Sequence, residues 1–335
     1  MGPCSYNIII MKKETIVTGL KPTGTLHLGS YLGAIHQLLD LQEEYKGRCY
    51  IFIADYHAMT QQDEFANHRA YAFEMAVDLL ALGVDPKKAT LFYQRDIPET
   101  TELCWMFNTV VPLSYLERMT QYKDYIAKEK SVNMGLLDYP VLQAADILIY
   151  GGNRVPVGED QVQHVELTRD IARFWNNRFG ETFAEPKPLL TKTARVMSLN
   201  FPERKMSKSI PGSAVFLADS PDEIRAKVRK AVTASAAEDM MPPGVANLFE
   251  LFAEFGPAEE VENFRKQYGD CSIRYSELKD AVADHIIAYF APFRARREEL
   301  LKHPNEIEKV FKQGAKRARA KAQETMQVVR KKIGF

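Results

Sequence analysis

The first half of the chain alternates short apolar strand patterns with amphipathic helix patterns. Residues 14–20 predict a β-rich strand, residues 49–54 a strand that is apolar on both faces, and Thr90–Gln94 a third strand. Between them, Ala66–Leu82 shows a helix pattern that is closed by Gly83. Strands that are apolar on both faces and alternate with helices are typical of a parallel sheet covered by helices on both sides. We therefore predict an α/β fold.

The same alternation continues through the middle of the chain. Pro140 is predicted to open a helix, because proline is favoured in the first helical turn, and the body of that helix, Val141–Tyr150, is almost entirely apolar. Arg154–Val157 predicts a fourth strand, and Gln161–Trp175 predicts another amphipathic helix.

The character of the chain changes near Asp219, after which only helical patterns continue to the C terminus. A length of 335 residues suggests two domains. We predict an N-terminal extension over residues 1–13, an α/β domain over residues 14–215 and an α-helical domain over residues 216–335. Packing of the last helix of the helical domain against the α/β domain is compatible with this division.

Acidic and basic residues balance in this chain. It has 44 lysines and arginines and 44 aspartates and glutamates, so its formal net charge is zero. A strongly basic field over the whole molecule is excluded, and any nucleic-acid contact must come from local patches. Two basic clusters stand out, Arg225–Lys230 and Lys309–Lys321. Each is either a solvated helix face or a contact with RNA, and the sequence leaves both interpretations open.

The cysteines and the hydropathy pattern indicate the cellular compartment of the protein. Four cysteines lie far apart, at Cys4, Cys49, Cys104 and Cys271, with no C-x-x-C pair. That distribution is typical of reduced thiols in a cytosolic protein. No apolar run approaches the ~18 residues that span a bilayer, and the N terminus lacks the basic segment of a signal peptide. We therefore expect a cytoplasmic protein with no membrane segment.

Two loops carry residues suited to binding phosphate. The first strand leads into a loop rich in proline and glycine, residues 22–29, and then into a helix whose N-terminal N–H groups favour anions. His27 in this loop could donate to a phosphate oxygen, although a tight turn with a surface histidine gives the same pattern. The second loop, Lys205–Ser209, either offers amines and hydroxyls to a triphosphate or is a solvated basic loop.

Together, the two loops make the chain resemble the class I aminoacyl-tRNA synthetases. His27-Leu28-Gly29-Ser30 is similar to their HIGH-type signature, with Ser30 where many members have a second histidine. Lys205–Ser209 matches their KMSKS loop at every position. The resemblance implies a Rossmann-like parallel sheet that binds a nucleotide, with an α-helical C-terminal domain. It also implies catalytic roles for His27, Lys205 and Lys208.

A carboxylate lies in the middle of the apolar helix predicted after Pro140. Asp146 has alanine, isoleucine and leucine neighbours and shares a helix face with Gln143, so we expect it to be buried. An ionised carboxylate in such a place is costly unless it is paired or hydrogen-bonded. It either forms an internal ion pair with an arginine or lysine or waits for a donor on a ligand. The residues alone leave these alternatives open.

Residues 135–175 resemble the bacterial-type tryptophanyl-tRNA synthetases, and the resemblance extends over most of residues 14–335. In that family the aspartate at the position of Asp146 accepts the indole N–H of tryptophan, and Tyr139 and Gln161 match positions that hold the α-ammonium group. The other expected pocket residues are Gln143, Val155, Val157, Val17 and His57, of which His57 equally suits a structural role at a strand end. The implied ATP contacts are Lys21, Pro22, Thr23, Gly29, Ser30, Gly158, Glu159, Asp160, Val196, Lys205, Met206, Ser207, Lys208 and Ser209.

Two alternative functions remain at this stage. Tyrosyl-tRNA synthetases share the fold and the signatures, but they usually have a tyrosine on the first strand where this chain has Val17, and the segment Val157–Gln161 also favours tryptophan. A catalytically silent RNA-binding paralogue is the second alternative, and the intact His27 and Lys205–Ser209 argue against it. Some tryptophanyl enzymes hold an iron–sulfur cluster on four cysteines, mostly in the C-terminal domain. Only Cys271 lies there in this chain, so no cluster is expected.

The resemblance therefore implies a tryptophan–tRNA ligase. ATP would activate L-tryptophan to tryptophanyl-adenylate with release of pyrophosphate, and tRNA(Trp) would then accept the aminoacyl group on a ribose hydroxyl. Mg²⁺ is expected to travel on the ATP phosphates, because it keeps most of its waters and needs few protein ligands. No metal site built by the protein is predicted. The resemblance also implies a homodimer and a helical domain that reads the anticodon.

Overall fold

A five-stranded parallel sheet organises the N-terminal part of the molecule. The computed structural model describes residues 14–60, 67–128, 132–190, 196–208, 210–233 and 241–335. Its strands are β1 (Ile16–Leu20), β2 (Cys49–Ile53), β3 (Thr90–Tyr93), β4 (Arg154–Val157) and β5 (Lys187–Leu190). All neighbouring pairs are parallel, and the strand order is β3-β2-β1-β4-β5. This is the order of a doubly wound Rossmann-like sheet, so the predicted fold class is confirmed.

Helices surround this sheet and then continue beyond it. They are α1 (Leu28–Ser30), α2 (His36–Glu44), α3 (Asp55–Ala58), α4 (His68–Ala81), α5 (Glu99–Asn108), α6 (Leu113–Glu117), α7 (Thr120–Ala127), α8 (Met134–Leu148), α9 (Val162–Phe179), α10 (Pro221–Arg229), α11 (Pro243–Phe255), α12 (Ala258–Gly269), α13 (Tyr275–Lys302) and α14 (Pro304–Ile333). A π-helical turn, Tyr31–Ile35, joins α1 to α2. Within the residues that the structure describes, no helix is both long enough and apolar enough to cross a membrane.

Both faces of the central strands are buried, which explains their continuous apolar sequence. On β2, Ile51 belongs to the core cluster on one face of the sheet and Phe52 to the cluster on the other face. On β3, Leu91 and Phe92 divide in the same way. Alternate residues of a strand point to opposite faces, so a sheet covered on both sides needs apolar residues at every position.

The C-terminal helix α14 returns to the sheet and packs on β3. The ring of Phe311 lies 4.7 Å from the ring of Tyr93, measured between centroids. A Cβ atom added to Gly314 would lie 1.7 Å from the carbonyl oxygen of Leu91. The backbones of helix and strand therefore approach so closely that only glycine fits at this position.

Two elements differ from the sequence predictions. Helix α8 begins at Met134 and not at Pro140, because the side chain of Asn133 caps it by accepting a hydrogen bond from Leu136 N at 2.9 Å. Pro140 instead lies inside the helix, where it removes one backbone hydrogen bond. Strand β5 was not predicted, since it is an edge strand with partly exposed residues and an internal proline, Pro188.

Replacing Gly314 with alanine should destabilise the protein, because the new methyl group would collide with the β3 backbone. Overpacking of this kind costs about 1–3 kcal/mol, so the midpoint of thermal unfolding should fall by several degrees. Gly269→Ala is the matched control: it lies at the end of α12, no atom lies within 4 Å of the added methyl group, and its midpoint should change little. Equal midpoints for the two variants would contradict the close packing of α14 on β3.

Candidate active site

A cavity of about 350 Å³ opens at the carboxyl ends of β1 and β4. These strands are neighbours in the sheet although they are far apart in the chain. At such a point the connections leave the sheet on opposite faces, and the crevice between them is where doubly wound folds bind ligands. The walls come from the two strands, from the residues that follow them and from one face of α8.

The cavity brings together all of the residues predicted for the amino-acid pocket. They are Val17, His57, Tyr139, Gln143, Asp146, Val155, Val157 and Gln161. Three of them, Tyr139, Gln143 and Asp146, follow one another at the spacing of a single helix face. The early start of α8 matters for this arrangement, because it places Tyr139 inside the helix and in register with Asp146.

Asp146 is 1% exposed, and both of its polar contacts go to one carboxylate oxygen. Oδ2 accepts a hydrogen bond from Gln94 Nε2 at 2.6 Å and lies 3.0 Å from His57 Nε2. Burial raises the pKa of Asp146, and the hydrogen bonds from His57 and Gln94 oppose that rise. Within the described residues no lysine or arginine contacts this carboxylate, so the internal ion pair with such a residue is wrong, and Oδ1 receives no hydrogen bond.

Gln94 is a site residue that the sequence analysis did not identify. It follows β3 directly, in a short turn of 3-10 helix over Gln94–Asp96, and it is 1% exposed. The available signal was a polar residue at the carboxyl end of a buried parallel strand, which is the edge where ligands bind. The strand pattern extends through Gln94, so the sequence predicts this residue as the last position of the strand, whereas β3 ends at Tyr93.

The hydroxyl of Tyr139 belongs to a second polar network. It lies 2.8 Å from Gln121 Oε1 and 2.7 Å from His164 Nε2. The hydroxyl has one proton, which it donates to the Gln121 carbonyl, so His164 donates from Nε2. The other nitrogen, His164 Nδ1, is buried and has no hydrogen-bond partner among the described residues. Because Nε2 carries the proton, Nδ1 is the unprotonated nitrogen and has no N–H group left unpaired. Burial lowers the pKa of His164 to about 4, so this ring is neutral beside the cavity.

The two phosphate-suited loops meet next to the cavity. Lys21 lines the cavity wall, and the segment Lys21–Thr23 leads from it to the second loop. There, Lys208 Nζ donates to the Thr23 carbonyl oxygen at 3.0 Å and lies 3.2 Å from its hydroxyl oxygen. A Cβ atom added to Gly29 would lie 3.7 Å from Cβ of Met206, so helix α1, which contains Gly29, and the second loop also approach each other.

His27 presents a neutral N–H group beside two cations. Its Nδ1 accepts a hydrogen bond from Ser30 N at 3.3 Å, so the neutral ring carries its proton on Nε2. Burial, followed by the positive charges of Lys208 and Lys205, lowers the pKa of His27 to about 4. An N–H donor and two ammonium groups in one place suit the oxygens of a polyphosphate.

The other predicted ATP contacts that the structure describes include Val196, Met206 and Gly158–Asp160. Met206 N donates to the Val196 carbonyl at 3.0 Å, which ties the second loop to the preceding segment. Gly158–Asp160 begins at the cavity wall and continues into an exposed turn. Ser209 lies outside the described residues.

Half of the ten cations in the two basic clusters have acidic partners among the described residues. The ion pairs are Arg225–Asp284, Lys227–Asp219, Arg229–Asp280, Arg319–Glu99 and Lys321–Glu324. By contrast, Lys309, Lys312 and Lys316 are exposed at the spacing of one face of α14 and form no ion pair with the described residues. The solvated-face interpretation therefore suits the first cluster, and the second retains a short stripe of accessible charge.

In the unliganded protein, His27 should take up a proton near pH 4 and not near its ordinary value of 6.5. The reason is that burial and two lysine charges oppose another positive charge. Because the unfolded chain binds this proton more readily, the contribution of His27 to the free energy of unfolding decreases as the pH falls from 6.5 to about 4. Nitrogen NMR of the imidazole against pH measures the midpoint, with His27→Asn identifying the signal. A midpoint near 6.5 would contradict the described surroundings.

Known proteins resemble this chain over nearly its whole length. The model of the family tRNA synthetases class I (W and Y) matches residues 11–291. The tryptophan–tRNA ligase of Rhodopirellula baltica is 43% identical over 322 residues, covering 96% of this chain and 99% of the relative. That of Caldanaerobacter subterraneus subsp. tengcongensis is 41% identical over 331 residues, covering 96% of this chain and 98% of the relative.

A solved structure agrees with these relatives. Tryptophanyl-tRNA synthetase from Campylobacter jejuni, complexed with ADP and tryptophan, matches with a TM-score of 0.86 and 36% sequence identity, and the match covers 96% of this chain and 100% of that one. Because the family model spans most of the chain and the relatives align almost from end to end, the chain belongs to the class I tRNA synthetases for tryptophan and tyrosine and, among them, to the tryptophan–tRNA ligases.

Proposed function

We propose that this chain activates L-tryptophan with ATP and transfers it to tRNA(Trp), with tryptophan in the cavity and ATP on the loops beside it. The observation that carries the proposal is the geometry of Asp146. This carboxylate is 1% exposed, lines the cavity and receives both of its hydrogen bonds on Oδ2. The related enzyme from Campylobacter jejuni carries ADP and tryptophan together, which is the same pair of ligand types.

Hydrogen-bond accounting supports tryptophan as the amino acid. Asp146 Oδ1 is placed to accept the indole N–H, and Val17, Val155 and Val157 provide apolar walls for the ring. Phenylalanine would leave the buried carboxylate without its donor, and a site built on such a contact rejects the analogue that lacks it by ~10⁴-fold or more. Tyrosine carries its donor at a different place on a smaller ring. The α-ammonium group is assigned to the oxygen of Tyr139 and to Gln161.

In the first reaction step, a carboxylate oxygen of tryptophan attacks the α-phosphorus of ATP, and the bond to pyrophosphate breaks. The nucleophile arrives ionised, so the chain needs to align the reactants and stabilise charge. His27 Nε2 would donate to phosphate oxygens, while Lys205 and Lys208 would neutralise charge on the departing pyrophosphate. These groups are imidazole and ammonium, which do not bind Mg²⁺, so the ion enters with ATP as part of that substrate.

In the second step, the 2′-hydroxyl oxygen of the terminal adenosine of tRNA attacks the carbonyl carbon of the adenylate, and AMP leaves. We assign residues 14–215 to the catalytic domain and residues 216–335 to the domain that contacts tRNA. The accessible stripe Lys309, Lys312 and Lys316 is the part of the two basic clusters that is suited to phosphate contact, because its charges have no acidic partners among the described residues.

A homodimer in the cytoplasm completes the proposal. Trp105, Leu113 and Met134 are 72%, 56% and 73% exposed. They lie on α5, α6 and α8, and both α5 and α6 pack against α8, which lines the cavity. Exposed apolar side chains on adjoining elements are typical of a protein interface. A partner on this surface would also cover the outer side of the helix that carries Asp146.

Asp146→Asn should separate recognition of tryptophan from recognition of ATP. The amide must direct its NH₂ group at the indole N–H or at the donors of His57 and Gln94, so one contact is lost in either orientation. In pyrophosphate exchange we expect kcat/KM for tryptophan to fall about a hundredfold, with KM for ATP nearly unchanged. The preference for tryptophan over tyrosine, measured side by side, should shrink.

The matched control for that prediction lies on the same helix. Asp138 contacts Cys104 and Asn108 and does not line the cavity, so Asp138→Asn should leave the exchange rate and the amino-acid preference as they are. If wild-type protein exchanges with tyrosine as well as with tryptophan, or if Asp146→Asn keeps the full preference, the proposed recognition by Asp146 is wrong.

Lys208→Ala should slow adenylate formation without weakening tryptophan binding. Removing one charge-stabilising donor typically costs ~10²–10³ in rate, and Lys208 lies on the phosphate side, against Thr23. Pyrophosphate exchange measures the rate and calorimetry the affinity for tryptophan. Lys331→Ala, an exposed lysine at the end of α14, serves as the control. A normal exchange rate in the Lys208 variant would exclude that residue from the first step.

A further inference from the structure

We infer that Gln94 is a positioning residue for tryptophan selection: it fixes Asp146 so that only Oδ1 is offered to the ligand. The inference rests on the proposed role of Asp146 and extends it to a residue that does not touch the substrate. Gln94 is absent from the lining of the cavity, so whatever it does for the ligand passes through its neighbours.

The orientation of the Gln94 side chain is determined by the backbone of α3. Its Oε1 accepts hydrogen bonds from the backbone N–H groups of Tyr56, at 3.0 Å, and His57, at 3.4 Å. These donors require the carbonyl oxygen of the amide, so the NH₂ group must point the other way. It points at Asp146, whose Oδ2 it meets at 2.6 Å.

The backbone of Gln94 is held as firmly as its side chain. The next residue, Arg95, donates its backbone N–H to Asp55 Oδ1 at 3.0 Å, and its guanidinium group bonds to Oδ2 of the same aspartate. Asp55 is the first residue of α3. The turn after β3 and the helix after β2 are therefore joined at two adjacent residues, which leaves the Gln94 amide no freedom to turn away.

This arrangement gives Asp146 a fixed polarity. Gln94 donates to Oδ2, and it also holds the backbone of His57, whose ring approaches the same oxygen at 3.0 Å. A carboxylate that rotates would lose both contacts at once, which is costly for a group that is 1% exposed. The second oxygen therefore remains directed at the cavity as a fixed acceptor, which selects a ligand with a single N–H at the edge of an apolar ring.

The test compares tryptophan with its benzothiophene analogue, in which sulfur replaces the indole N–H, in pyrophosphate exchange. Wild-type protein should prefer tryptophan by about 10⁴-fold or more in kcat/KM. Gln94→Met and Gln94→Leu each remove the acceptor for Tyr56 and His57 and the donor toward Asp146, without bringing a second carboxyl group that could share a proton with it. In both variants the preference should fall by about tenfold to a hundredfold, mainly through KM for tryptophan, with kcat and KM for ATP close to wild type.

A buried glutamine elsewhere provides the control for a purely structural role. Gln42 is 4% exposed, donates to the Gly83 carbonyl and accepts from Asp85 N, far from the cavity. Gln42→Met should lower stability yet leave the preference for tryptophan unchanged.

Three outcomes would overturn the inference in distinguishable ways. A wild-type preference retained by Gln94→Met overturns the positioning role alone, and so does a preference lost equally in Gln42→Met. Absence of a preference in wild-type protein instead overturns the assignment of Asp146 itself.

Discussion

A carboxylate inside an apolar helix is the constraint on which the site depends. Asp146 is nearly without solvent contact, so its charge has to be met by donors from the protein. The donors come from His57, just after β2, and from Gln94, just after β3. In a parallel sheet the carboxyl ends of all strands lie on one side, and one face of α8 lines the cavity that opens there. The topology therefore supplies two hydrogen-bond donors to one oxygen, and local sequence around Asp146 supplies neither of them.

The same edge brings the second substrate to the first. β1 continues into Lys21–Thr23 and then into the turn that carries His27, whereas β4 continues into Gly158–Asp160. The two strands are neighbours, so the loop proposed to bind phosphate and the cavity proposed for the amino acid open on one crevice. Holding two reactants in such a crevice converts their encounter into an effectively intramolecular step. This explains how the chain can catalyse adenylate formation without a nucleophilic side chain.

Periodicity predicts β1 to β4 and the helical C-terminal part, because these depend on short-range sequence, whereas the residues of the cavity came from the resemblance to tryptophanyl-tRNA synthetases. What they missed depends on contacts between distant segments. Gln94 meets Asp146 across 52 positions, and Arg225 meets Asp284 across 59 positions. No local pattern signals such pairs, so the strand pattern extends through Gln94, and the sequence leaves open whether the first basic cluster is a solvated face or an RNA contact. The start of α8 is misplaced in the sequence prediction for another reason. Proline is common at helix starts, but Pro140 lies inside this helix.

Each of the two polar networks of the cavity leaves a hydrogen-bond acceptor for a ligand. Protein donors are used on Oδ2 of Asp146, which leaves Oδ1 as an acceptor. The Tyr139 proton is used on Gln121, and the phenolic oxygen, which already accepts from His164, keeps one lone pair as an acceptor. Tryptophan has donors at these two positions, the indole N–H and the α-ammonium group, and its only strong acceptor is the carboxylate. A ligand held at both donors must therefore turn its carboxylate away from both networks. The cationic side of the crevice, with Lys208 and a neutral His27, offers that acceptor favourable charge, and it is also the side to which the proposed function assigns the α-phosphorus of ATP.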